Sequence, residues 1–125
     1  LSDKQGKSKF GFSHALNGIG KIIRTEQNFR FHMIASLFVI VAGIILRLSA
    51  FKWIFIVLAI GLVLVAEILN TVIEKMVDYV KPDIHPRAKV IKDMAAGAVL
   101  IASIVSATVG LLIFIPELYR LFVGS

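Results

Sequence analysis

Residues 53–80 read WIFIVLAIGLVLVAEILNTVIEKMVDYV, and the organisation of the chain follows from this stretch. It is apolar from Trp53 to Ala66, and no proline interrupts it before Val80. As one helix it extends roughly 40 Å at 1.5 Å per residue. The hydrocarbon core of a bilayer is about 30 Å thick, so such a helix crosses it and emerges on the far side. Trp53 has the placement of an interfacial aromatic. In the second half Glu67, Asn70 and Glu74 break the apolar run. Spacings of three, four and seven residues put all three on one helical face. An ionisable residue inside a span is costly there and is a functional candidate by default.

The rest of the chain agrees with a membrane setting. Of its 125 residues 58% are hydrophobic, and the mean hydropathy is +0.87, far more apolar than a soluble domain usually is. The formal charge is +6, from 14 Lys and Arg against 8 Asp and Glu. These cations cluster at the ends of apolar runs, as anchors at an anionic membrane surface do, which speaks against a nucleic-acid partner. The absence of cysteine excludes disulfides and thiolate metal sites. The N-terminal residues lack the apolar stretch of a signal peptide.

The expected fold is all-α and integral to the membrane, a single domain over residues 1–125. Residues 1–9 are polar and loose. Over about residues 10–28, Phe12, Leu16, Ile19, Ile22 and Ile23 recur at helical spacing among polar residues, which predicts an amphipathic surface helix. Three transmembrane helices follow over about residues 30–48, 52–80 and 93–115. Spans one and two form a hairpin through RLSAFK, residues 47–52. The segment KPDIHPRAK, residues 81–89, ends span two, because Pro82 and Pro86 resist helix continuation. Pro116 is expected to close span three. Ala98, Ala102, Ser106 and Gly110 form a small-residue stripe there, suited to close helix packing. Lys and Arg are concentrated before span one and between spans two and three, which predicts a cytoplasmic N-terminus.

This arrangement brings Glu26, Glu67, Asn70, Glu74, Lys92 and Asp93 to one layer at the cytoplasmic interface, with Glu67 roughly 10 Å deeper than Glu74. Carboxylates there are hard oxygen ligands suited to Mg²⁺, which arrives with nucleotide phosphates. A lysine beside them can neutralise phosphate charge. A deeper glutamate can take the proton of an alcohol held at headgroup height. The chemistry implied is ATP-dependent phosphorylation of a lipid hydroxyl.

Plainer readings compete residue by residue. Glu74 also fits a headgroup position, Lys92 a positive-inside anchor, Asp93 the N-cap of span three and Asn70 an interhelical hydrogen bond. His14, His32 and His85 fit interfacial filling. A different class of function is a non-enzymatic channel or transporter subunit with Glu67 as a proton relay. Soluble nucleotide motifs are absent: ALNGIGKI, residues 15–22, has Ala15 and Ile22 where a P-loop needs Gly and Ser or Thr, and GIGKII ends in Ile23 rather than Gly.

RTEQNFRFH (residues 24–32), EILNTVIEKMVD (67–78) and AKVIKDMAAGAVL (88–100) together resemble the small prokaryotic diacylglycerol kinase family, integral-membrane kinases unlike soluble ones. TEQNFRFH, DIHPRAK and GLLIFIPEL are most similar to its Gram-positive branch, which phosphorylates undecaprenol more readily than diacylglycerol. The resemblance implies Glu67 as catalytic base, and Glu26 and Glu74 as carboxylates holding Mg²⁺ with the ATP phosphates. It implies Asn70 as active-site support, and Lys92 and Asp93 at the nucleotide with Lys92 on the γ-phosphate. His85 and Asp83 fall where the loop between spans meets ATP, and Lys7 and His14 at nucleotide-contacting positions of the surface helix. Lys7 and His14 depart from the arginine and tyrosine of the other branch. The resemblance further implies a homotrimer with shared active sites in the bacterial inner membrane, with undecaprenol or diacylglycerol as the lipid acceptor.

Overall fold

The computed structural model describes residues 3–81, 83 and 85–124, with side chains among these from Gly11 onward. The described residues form four helices: α1 (Asp3–Thr25), α2 (Gln27–Ile45), α3 (Ala50–Val80) and α4 (Pro86–Val123). The last three are long and apolar enough to cross a membrane. Most of their large apolar side chains are exposed in the single chain, from Phe38 on α2 to Leu112 on α4. A surface of that kind needs lipid or protein to cover it. The fold is that of a multi-pass membrane protein.

α1 begins earlier than the periodicity predicts and stops at Glu26, which is extended (φ −112°, ψ 111°) and starts α2. Arg30 explains the break. Its guanidinium donates to the carbonyls of Ile23 (2.8 Å) and Arg24 (3.1 Å), two of the groups a helix C-terminus leaves without partners. Along the described side chains of α1, Phe12, Leu16 and Ile19 are exposed and Ile22 is buried.

The α2–α3 corner is tight and locally specified. Arg47 has a positive φ of 56°. Around it Arg47 N–H donates to Ile44 (3.1 Å) and Leu48 N–H to Gly43 (3.1 Å), the paired bonds of a left-handed helix cap. Ser49 caps α3, its hydroxyl oxygen accepting from the Lys52 N–H at 3.3 Å. A Cβ at Gly43 would stand 2.7 Å from Trp53 Cη2 and 3.1 Å from Leu48 Cδ1. Gly43 is therefore where α2 receives the Trp53 ring. Gly43→Val is expected to destabilise the chain by about 1–3 kcal/mol, the usual cost of overpacking. Thermal unfolding in detergent checks it, and an unchanged midpoint would refute the contact. The apolar core lies at this end, where Leu48, Ile56 and Ile113 pack with Trp53, Val109 and Phe114.

α4 differs from expectation at both ends. It starts at Pro86, whose missing N–H costs nothing in a first helical turn. His85 is its N-cap, with Nδ1 accepting from the Arg87 N–H at 3.1 Å. Asp93 is thus interior to the helix, not an N-cap. Pro116 does not close α4, which continues to Val123. Proline deprives the Leu112 carbonyl of its partner and crowds it, and beyond it Glu117 joins Lys52 of α3 and Arg120 in an ion cluster. Pro82 lies outside the described residues.

α3 and α4 make the most extensive helix pair. Ala102 of the small stripe is buried, and Ser106 Oγ donates to the Ala59 carbonyl of α3 at 2.8 Å. That part of the stripe therefore packs within the chain.

Candidate active site

Away from the Trp53 corner, α3 carries the buried polar side chains Glu67 and Thr71. Glu67 is 5% exposed and Thr71, one turn further on, 6%. A buried carboxylate is tolerated when something compensates it. Here His32 of α2 brings Nε2 to 3.7 Å from Glu67 Oε1. His32 also heads an apolar groove of about 260 Å³ between α2, α3 and α4, lined by Val39, Ile56, Ile60, Val63, Ser103 and Ser106 among others.

Two further ion pairs mark the end of α3. Lys75 Nζ lies 3.5 Å from Glu26 Oε2, and Lys92 Nζ of α4 lies 2.5 Å from Asp78 Oδ1. The Glu26 side chain makes no capping bond to α2, although its backbone starts that helix. The Thr25 hydroxyl sits 2.9 Å from the Lys21 carbonyl and 3.2 Å from Glu26 Oε2, so its one proton serves either. Glu74 is half-buried beside Lys75. Among the described residues no three His, Asp or Glu side chains group closely enough to cage a metal by themselves.

A second hollow of about 210 Å³ lies at the α3–α4 connection, lined by Asp78, Lys81, Asp83, His85, Ala88, Lys89 and Lys92. It gathers three of the residues expected at a nucleotide, Asp83, His85 and Lys92, with two additional lysines. Asp93 instead pairs with Lys89 one turn back on α4, at 2.6 Å. Asn70 lines a separate α3–α4 cleft of about 330 Å³ with Ala66, Ala95, Ala98 and Ala102. Its Oδ1 is buried without a hydrogen-bond partner among the described residues. His14 is exposed on α1, and the Lys7 side chain lies outside the described residues.

The sequence model of the prokaryotic diacylglycerol kinase family matches residues 13–114. The chain belongs to this family. It is similar to the undecaprenol kinase of Bacillus subtilis, with 46% identity over 107 residues, 86% of this chain and 87% of that protein. The diacylglycerol kinase of Synechocystis is 39% identical over 113 residues, 90% of this chain and 65% of that protein. The diacylglycerol kinase of Escherichia coli K12 is 36% identical over 81 residues, covering 65% and 66% of the two chains. The kinase-family match spans all the candidate residues except Lys7.

Within the family frame, the structure adds three residues that sequence reading left out of the site. Asp78 continues the 67–70–74 face by one more turn, and that i+4 step was a usable signal. Lys75 was legible only as a cation at a helix end. For His32, assigned to interfacial filling, no sequence signal existed, because its partner is on another helix.

Proposed function

We propose that this chain transfers the γ-phosphate of ATP to the terminal hydroxyl of a membrane lipid alcohol, with undecaprenol preferred over diacylglycerol. Kinship with lipid kinases of both names supports the reaction class, and the Bacillus protein supports the acceptor. The observation that carries the chemistry is the buried Glu67 beside His32, which itself lines an apolar groove. A lipid tail in that groove would bring its polar end to the His32–Glu67 level.

In this reading the nucleotide phosphates occupy the lysine-rich hollow at the α3–α4 connection, contacted by Lys92, His85 and Asp83. Lys92 draws charge from the γ-phosphate as the bond to ADP breaks. The alcohol oxygen attacks phosphorus in line, and Glu67 accepts its proton. Asp93, His14 and Lys7 complete the proposed nucleotide contacts.

The donor set fits Mg²⁺, which takes one or two protein carboxylates plus phosphate oxygens. Glu26 and Glu74 would hold it, since both are half-buried and Glu26 is left free of capping duty. Bound there, it supplies positive charge against the phosphate oxygens. Glu74→Ala is expected to lower Mg²⁺-dependent ATP affinity by about tenfold or more, the loss of one charge-assisted contact. Titration with Mg-ATP checks it; an unaltered Mg²⁺ requirement would remove Glu74 from the metal site.

Assembly as a homotrimer with shared sites belongs to the same reading. A buried amide oxygen without a partner calls for a donor from elsewhere, and Asn70 offers one on an open apolar cleft. α1 would lie along the membrane surface with its apolar residues in lipid, and the N-terminus on the cytoplasmic side of the inner membrane. The decisive experiment reconstitutes the chain with labelled Mg-ATP and supplies undecaprenol and diacylglycerol in parallel. Label in undecaprenol supports the full reading, label only in diacylglycerol corrects the acceptor, and no labelled lipid from assembled protein refutes it.

A further inference from the structure

Glu67 is almost wholly buried within a membrane-crossing helix, and the ion-pairing group within 4 Å among the described residues is His32. That pairing joins two helices. His32 lies near the start of α2, where its own carbonyl accepts from Ser36 Oγ at 2.8 Å. Its ring meets Phe31 edge-on, with centroids 5.7 Å apart. The side chain keeps 23% exposure and lines the α2–α3–α4 groove on its other side. His32 is thus interposed between the buried carboxylate and the space a lipid chain would enter.

We infer that His32 is a positioning residue for Glu67: its Nε2–H holds one carboxylate oxygen so that the other faces the acceptor hydroxyl. This inference rests on the lipid-kinase reading with Glu67 as base. At 3.7 Å the contact is too long for a hydrogen bond, and catalytic contacts of this kind tighten when substrate enters. The imidazole can offer an N–H donor at Nε2 to that oxygen. In the transfer step the alcohol proton passes to the free Glu67 oxygen, the alcohol oxygen bonds to phosphorus, and the bond from phosphorus to ADP breaks. His32 keeps its proton throughout.

The test compares His32→Leu with His32→Gln, in assembled protein, using undecaprenol and Mg-ATP. The leucine variant is expected to lose about a hundredfold in kcat, the scale of a small misplacement of a catalytic group. KM for Mg-ATP should stay unchanged. The glutamine variant, which keeps an N–H donor at similar reach, recovers the larger part of that loss. In a Glu67→Gln background, His32→Leu should add little further loss, because it acts through the missing carboxylate. Unchanged kcat in the leucine variant overturns the inference, as does equal impairment of the leucine and glutamine variants, which would mean that the ring only fills space. Where the leucine variant does not assemble, His32→Ala takes its place under the same criteria. A wild-type protein inactive on every lipid alcohol defeats the kinase reading itself, whereas an active wild type with an indifferent His32 defeats this inference alone.

Discussion

Glu67→Gln is expected to lower turnover by about 10²–10⁴-fold, the range that a positioned general base supplies. Glutamine keeps the size and hydrogen-bonding reach of glutamate and removes only its capacity to accept a proton at neutral pH. Burial sharpens the result, since Glu67 is 5% exposed and water has little access to replace it as base. The folded state should be at least as stable, because a neutral amide is less costly to bury than a carboxylate. Mg-ATP affinity should hold, as Glu67 lies roughly 10 Å along the helix from Glu74. Turnover against undecaprenol, alongside Mg-ATP titration and thermal unfolding, checks all three. Full activity would sink the base assignment and favour a structural or proton-relay role.

A loss of similar kind is expected for Lys92→Ala, about 10²–10³-fold in kcat/KM for ATP, the scale of removing one preorganised contact to transition-state charge. Its structural consequence should be small. The Lys92–Asp78 pair is substantially exposed, at 36% and 61% of the side chains, and such pairs contribute about 0–1 kcal/mol. Activity and stability therefore separate in this variant. Asp78→Asn serves as its control: it frees Lys92 while leaving the cation in place, so it should be much the milder change. Steady-state kinetics over a range of ATP concentrations, with unfolding midpoints, decides between them. Equal losses in the two variants would mean that the pair matters as a pair, and that Lys92 does not act on phosphate.

Much of this protein was legible without tertiary information. The three apolar helices follow from length and hydropathy, and the run from Trp53 to Val80 emerges as one helix, Ala50–Val80. The carboxylate face of α3 follows from i, i+3 and i+4 spacing. Proline was the least reliable sign. Pro86 was read as a barrier and is a helix start, and Pro116 was read as an end and lies inside α4. The same residue type occurs in both places: it needs no N–H in a first turn, whereas inside a helix it loses one bond and crowds the carbonyl four residues back, a cost that tertiary packing can outweigh. Just beyond Pro116, Glu117 pairs with Lys52 of α3 and with Arg120, a contact between two helices that no local spacing predicts.

By itself the sequence determined that three helices are long and apolar enough to span, where their charge gathers, and which face carries Glu67, Asn70 and Glu74. These are properties of residues within four positions of one another, and backbone geometry alone relates them. Only the tertiary structure decided what each face meets. It set Glu67 against His32, turned the Ala102–Ser106 part of the small stripe onto α3, and drew Lys92 to Asp78 while Asp93 turned to Lys89. The α2–α3 corner, with Arg47 at positive φ and the Trp53 ring in the space beside Gly43, orients those helices. Such pairings depend on how two rods are rotated and crossed, and no local spacing along either rod encodes that angle.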